Sequence, residues 1–367
     1  MQFREINKPK MGRRFTKEEK IMALSMYKRG PRAYRWLSKM FILPSSVTLS
    51  RLLSKAGLKP GFNENIFNQL HKKVKGMKEH EKLCTLIFDE MAITPHFDYN
   101  RRKDRITGFV NYEGESVRKI ADHVLVFMIR GIVKNYKQPI YYSFSAGSTP
   151  KEVLAQLIKK IIQELNRKGF TVMATVCDQG TSNVSAINYL IEDTRRNYLR
   201  NNEILKHSIF EVEGKCVIPL YDLPHLLKGL RNNLITKNLK YSMDGQEKVA
   251  KWEHIQLLYR NNPTYKGLKL IKKLSENHCN KDKIPKMKVK FASQLFSQTV
   301  GKTMGYLAEN GILPEEAKDT ADLIIFIDNL FDSMNGSFQN SKTRSGKELL
   351  RNVTPNSLHK NDVVHNI

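Results

Sequence analysis

The stretch KLCTLIFDEMAI, residues 82–93, has the composition of a buried strand and then breaks into two adjacent carboxylates, Asp89 and Glu90. A second apolar run, TVMATVCD (171–178), ends the same way, in Asp178, and is followed by the turn-forming Gln179-Gly180-Thr181. Between them lie the strand-like segments ITGFVNY (106–112), HVLVFMIRGI (123–132) and QPIYYSFSA (138–146). The helical stretch KEVLAQLIKKIIQELNRKG (151–169) comes next, closed by Gly169. A further helix follows DQGTSN, and then the strand KCVIPLYD (215–222). Three or four strands, a helix, a strand, a helix and a strand is the order of an RNase H-like α/β fold.

In such a sheet the first strand and the strand ending in Asp178 are neighbours, so Asp89 and Asp178 converge. Two carboxylates a few ångströms apart repel, and a hard divalent cation such as Mg²⁺ turns that repulsion into attraction. Paired ions of this kind activate a nucleophile and stabilise the leaving oxygen of a phosphodiester. Taken singly, each aspartate is equally a strand-end turn former or a helix N-cap. Glu90 faces away from Asp89 if the strand continues, which makes Asp89 the ligand and Glu90 a supporting or surface group. Asp222 and His225, in YDLPHLLKGLRNN, also close a strand, and an N-cap aspartate before a Pro-containing helix accounts for them as well.

Outward from this α/β region (81–222) the patterning turns helical. Residues 15–60 hold three short segments: FTKEEKIMALSMYKRG, PRAYRWLSKMF opened by Pro31, and LPSSVTLSRLLSKAG with Ser45 or Ser46 as N-cap. Such a triplet suggests a small helix-turn-helix domain, with Arg51 and Lys55 on its last helix as DNA contacts, although three helices also pack together without DNA. Residues 1–14 read as a poorly ordered basic leader and 61–80 as a connecting helix. Beyond Asp222 the strands stop: 223–340 reads as an all-α domain, with KWEHIQLLYRN, PTYKGLKLIKKLSE, KFASQLFSQTVGKTMGYLAEN and EEAKDTADLIIFIDNLFDSMN as helices, and 341–367 as a frayed tail.

Composition narrows the partners. The chain is 40% hydrophobic and 27% charged, an ordinary globular balance, yet 62 Lys and Arg against 36 Asp and Glu give +26. The excess is concentrated in the first 80 residues, which points to a polyanion, most simply nucleic acid. The four cysteines show no CxxC pairing or zinc-finger spacing and read as reduced thiols of an intracellular protein. No apolar run is long enough to span a membrane, and the N-terminus lacks a signal-peptide core.

With these segments in hand, the chain resembles the P element transposases of the THAP-type transposase group. YKRGPRAYRWLSKMFILPSSVTLSRLLSKAGLKPGF resembles their helix-turn-helix region. LIFDEMAI and ATVCDQGTSN resemble their first two acidic blocks, and YDLPHLLKGLRNNL the block that opens their helical insertion domain. The resemblance implies metal-dependent (Mg²⁺ or Mn²⁺) cutting and joining of double-stranded DNA at transposon ends and target, in the nucleus, with GTP as cofactor. It implies Asp89 and Asp178 as the first two acids of an Asp-Asp-Glu triad and as metal ligands. It further implies GTP contacts at Lys273, Lys288, Val289, Ser297, Phe331, Asp332 and Asn335: Phe331 stacking on the base, Asp332 facing the guanine edge or the metal, and the lysines neutralising phosphate. The segment TRSGKE (343–348) does not have phosphate-loop spacing, and LFDSMN and KMKVK read on spacing alone as a helix end and a solvated basic face.

Two departures stand out. No cysteine precedes residue 80, so the family's N-terminal zinc domain has no counterpart, and no Glu-bearing helix supplies the third acid, since RSGKELLRNV does not resemble it. The expectation is a truncated, catalytically incomplete copy, or alternatively a non-catalytic DNA-binding regulator. An independent RNase H-like nuclease would need Asp222 as a further acid. Homo-oligomerisation stays open.

Overall fold

A computed structural model describes residues 5–55, 59–101, 104–112, 115–205, 207–262, 264–265 and 268–334. The chain begins with a small helical unit: α1 (Lys17–Arg29), α2 (Pro31–Met40) and α3 (Ser46–Lys55). Thr16 and Glu19 close a reciprocal capping box on α1, and Ser45 Oγ accepts the Thr48 N–H at 3.2 Å to cap α3. Ala23, Tyr34 and Leu49, one from each helix, form its buried core, and the Tyr34 hydroxyl donates to the Pro44 carbonyl at 2.7 Å. The leader differs from the sequence expectation. Glu5 is fully buried and accepts from the Arg14 N–H at 3.0 Å and from Lys8 Nζ at 3.3 Å, so residues 5–14 fold back onto themselves.

After β1 (Gly61–Phe62) comes α4 (Glu64–Val74), whose Phe67, Leu70 and Val74 enter the core of the next domain. The helix expected as a connector therefore packs as part of the α/β layer. Next are β2 (Leu83–Ala92), the small hairpin β3 (Asp98–Asn100) and β4 (Arg105–Thr107), β5 (Phe109–Tyr112), β6 (Glu115–Ile120), β7 (His123–Gly131) and β8 (Lys137–Ser145). Then follow α5 (Lys151–Arg167), β9 (Thr171–Cys177), α6 (Thr181–Arg200), β10 (Phe210–Val212) and β11 (Lys215–Tyr221). The main sheet runs β10-β11-β9-β2-β7-β8-β5-β6, with β1 beside β8. β9 lies parallel to both β2 and β11, while β7 and β8 are antiparallel. This mixed sheet, with its first strand central, is the RNase H-like arrangement read from the sequence.

Alternation along the strands sorts the two faces. Leu86, Phe88, Leu125, Phe127, Ile129 and Val217 pack with α4, α5 and α6 into one core. On the opposite face, residues Val126, Ile218 and Leu220 are exposed. β2 does not stop at Asp89 as the sequence suggested. It continues to Ala92, paired along β7 (Asp89 with Val126, Ala92 with His123), because β7 supplies ladder partners for the polar residues too.

After β11 the chain enters a second core through α7 (Leu223–Thr236). A hairpin, β12 (Leu239–Met243) and β13 (Gln246–Ala250), interrupts the helices expected here. Its cause is legible: Asp244-Gly245 takes φ of 53° and 75°, the paired left-handed values of a tight hairpin turn that Asp-Gly favours. The rest is α8 (Trp252–Arg260), α9 (Glu276–Cys279), α10 (Val289–Leu295), α11 (Gln298–Glu309) and α12 (Ala317–Met334). PTYKGLKLIKKLSE is not the helix expected; its described residues form two short strands and turns. KFASQLFSQTVGKTMGYLAEN splits at Phe296-Ser297, where Ser297 leaves helical geometry to cap α11. Cys84, Cys177 and Cys279 are buried free thiols and Cys216 is an exposed one. Among the described residues no helix is long and apolar enough to cross a membrane.

Candidate functional site

Parallel pairing of β2 with β9 (Ile87 opposite Val176) carries Asp89 and Asp178 to the same level of the sheet and to the same, helix-free face. β11 runs parallel on the other side of β9 with Tyr221 opposite Cys177, and the Asp222 N–H donates to the Cys177 carbonyl at 2.7 Å. Asp222 thereby joins the same end of the sheet. Three aspartates from three adjacent strand ends share one neighbourhood, because the register of a parallel sheet brings equivalent C-terminal positions together.

Each acid is held differently. Asp178 Oδ1 accepts the Gly180 N–H at 2.9 Å and Asn183 Nδ2 at 2.6 Å, which fixes the carboxylate and turns the chain into α6. A Cβ at Gly180 would stand 3.0 Å from that oxygen, so the glycine permits the tight approach. Asp222 Oδ2 caps α7 through the His225 N–H at 3.2 Å and meets His225 Nδ1 at 2.5 Å. Asp89 accepts only from its neighbour, the Glu90 N–H, at 2.9 Å. Desolvation by the packed sheet, then the negative charges of Asp178 and Asp222, push the Asp89 carboxyl above its ordinary range, against the lowering effect of the Glu90 N–H and of His225. Crowded oxygen donors with a raised acid are the chemistry of a hard divalent cation. Among the described residues no three His, Cys, Asp or Glu side chains are placed to hold a metal by themselves, so water or substrate oxygens would complete the shell.

Glu90, the other half of the opening pair, supports the site from behind. Its Oε1 accepts Thr149 Oγ1 at 2.8 Å, the Thr149 N–H at 3.0 Å and Ser145 Oγ at 3.2 Å, which ties β2 to the loop after β8. Glu90→Ala strands these donors, and Ser145 and Thr149 are both buried. It is expected to destabilise the fold by about 2 kcal/mol, read by urea unfolding.

The insertion contacts implied by resemblance fall on separate elements. Lys273 is exposed in the turn before α9, Lys288 is the N-cap of α10, Val289 its first residue, and Ser297 the N-cap of α11. Phe331 and Asp332 lie near the end of α12, half-buried and buried. Glycine contacts set the antiparallel register of α11 against α12: Gly301 meets Ile324 and Ile325, and Gly305 meets Ala321. Continuing that register puts Ser297 level with Asp328 and toward the Asp332 end of α12. Asn335 lies outside the described residues.

At the N-terminal unit an open cleft of about 770 Å³ lies between the leader and α2–α3. Lys10, Arg13, Arg14, Lys20, Arg35 and Arg51 line it together with Ser45 and Thr48, and no acid does. Arg51 is thus placed with five other cations that were not singled out from the sequence. Lys55 ends α3, and its side chain lies outside the described residues.

Comparison with known proteins gives the same two domains. The family model for a TNP-like RNase H N-terminal domain matches residues 58–191, and that for a TNP-like GTP-binding insertion domain matches 224–347. The transposable element P transposase of Drosophila melanogaster is 29% identical over 330 residues, 89% of this chain and 40% of that protein. Human DNA transposase THAP9 is 24% identical over 357 residues, 94% of this chain and 37% of that protein. The chain spans about two fifths of the length of these relatives. A solved structure titled Drosophila P element transposase strand transfer complex superposes with a TM-score of 0.75 and 28% identity, covering 100% of this chain and 75% of that one.

Proposed function

We propose that this chain, which belongs to the P element transposase-like family, holds double-stranded DNA across a carboxylate-lined divalent-metal site, with GTP bound in its insertion domain. The observation that carries this reading is the convergence of Asp89, Asp178 and Asp222 at one sheet end, with Asp89 pushed up by its neighbours. Asp89 and Asp178 are the metal ligands, for Mg²⁺ or Mn²⁺. When bound, the metal would polarise a phosphodiester and lower the pKa of an attacking water or hydroxyl. The protein's own part is placement: the Gly180 N–H and Asn183 orient Asp178, the β2–β7 ladder orients Asp89, and the basic N-terminal cleft holds backbone phosphates. Such a DNA partner places the protein in the nucleus.

Asp222 favours a second reading. Its Oδ2 already caps α7 and pairs with His225, which leaves two aspartates for the metal. The chain then acts as a DNA-binding regulator without cleavage. A single experiment addresses both: fluorescently labelled transposon-end DNA is incubated with the protein in Mn²⁺, and binding and cutting are read together. Salt-sensitive binding is expected, with cutting no greater than in an Asp89→Ala/Asp178→Ala control. Absence of salt-sensitive binding sinks the DNA reading. Cutting abolished by the double change would instead make Asp222 a working third acid.

A further inference from the structure

The insertion domain buries a cation for which it supplies no counter-charge. Arg231, on α7 between the core residues Leu227 and Leu234, is 1% exposed. Its Nε and Nη2 donate to Asn232 Oδ1 at 3.2 and 2.9 Å, and Nη2 donates to the Lys286 carbonyl at 2.5 Å. Both acceptors are neutral. Nη1 is buried with no hydrogen-bond partner. Lys228, one turn earlier on α7, is 8% exposed, and neither cation pairs with a carboxylate among the described residues. A guanidinium stays protonated, and a buried charge with one side unsatisfied is strongly destabilising. An anion arriving from outside the chain would supply what is missing.

The place is also informative. The Lys286 carbonyl that Arg231 grips is two residues before Lys288, which caps α10, and residues Lys286, Met287 and Lys288 are exposed. Arg231 thus touches, from inside, the turn on which two of the expected nucleotide contacts lie. We propose that Arg231 is a nucleotide-binding residue whose Nη1 takes a phosphate oxygen of GTP, approached from the side of this turn, while Nη2 fixes the turn so that Lys288 faces the same phosphates. The inference rests on the GTP reading of the insertion domain. It adds a residue from α7, the helix that also carries Asp222 at its start.

The test uses the full chain with GTP or guanosine in Mg²⁺, comparing wild type with Arg231→Met by calorimetry and thermal unfolding. In wild type, GTP binds and raises the melting temperature. Arg231→Met, relieved of the buried charge, melts without nucleotide at or above wild type. Its GTP affinity falls at least tenfold while guanosine affinity is unchanged, since only the phosphate contact is lost. No GTP binding by wild type overturns the GTP reading itself. Wild-type GTP affinity in Arg231→Met overturns this proposal alone. Should Arg231→Met melt far below wild type, Arg231→Lys decides, because it keeps the charge and removes Nη1: reduced GTP affinity with unchanged guanosine affinity supports the role, and unchanged GTP affinity overturns it.

Discussion

Asp178→Asn is expected to weaken Mn²⁺ binding about 100-fold, roughly 2.7 kcal/mol, measured by calorimetry or by the electron-spin signal of free Mn²⁺. The substitution keeps size and keeps an oxygen for the Gly180 N–H and Asn183 bonds, but removes a full charge from a site that has two principal ligands. Asp89→Asn is expected to act similarly on the metal and oppositely on the apo fold. Burial and the nearby aspartates hold the Asp89 carboxyl above its ordinary value, so its ionised form opposes folding. That penalty is fully present above the raised pKa and fades as pH falls toward the unfolded carboxylate range. At neutral pH the metal-free Asp89→Asn protein should therefore melt no lower than wild type. The same shift makes protons compete with metal early: wild-type Mn²⁺ affinity should decline on acidification before an ordinary aspartate would protonate. A flat Mn²⁺ affinity across that range, or wild-type affinity in Asp178→Asn, sinks the metal site.

The second large effect concerns the N-terminal cleft. Neutralising Arg13, Arg35 and Arg51 together to Ala is expected to lower affinity for duplex DNA roughly 100-fold near physiological salt. It should also flatten the slope of log affinity against log salt by about 2.7, as three lost phosphate contacts require. Fluorescence anisotropy across a salt series reads both quantities. Loss should be similar on any sequence, since these are cations at a cleft and not base-edge readers. An unchanged slope would remove the cleft from DNA binding and leave the charge of residues 1–80 to solubility alone. Arg13 sits on the leader, which Glu5 pins from within. Position, and not only charge, is therefore at stake.

Sequence alone carried the sheet well because its signals are long and local: apolar runs of seven to ten residues, each bounded by Gly, Pro or charge. The pairing of Asp89 with Asp178 was legible for the same reason, once strand order was assumed. What escaped was decided by contacts distant in sequence. The continuation of β2 past Asp89 depends on β7, and the order in the leader depends on one buried glutamate. Asp244-Gly245 was an available hairpin signal passed over because the flanking residues are polar and Lys-rich. Breaking the 290–310 segment at Ser297 needed knowledge that a cap there fits the packing of α11 on α12. Arg231 carried no signal in the sequence, since an arginine in an amphipathic helix ordinarily faces water.

One rod links the two chemistries. The first turn of α7 is capped by Asp222 beside the metal site, and Arg231 lies nine residues on, about 13 Å along the same axis. No hinge residue breaks the helix between them, so any tilt that a nucleotide imposes at one end is delivered to the other as leverage. Thermodynamic reciprocity then makes the coupling two-way: whatever factor nucleotide adds to metal affinity, metal must return to nucleotide affinity.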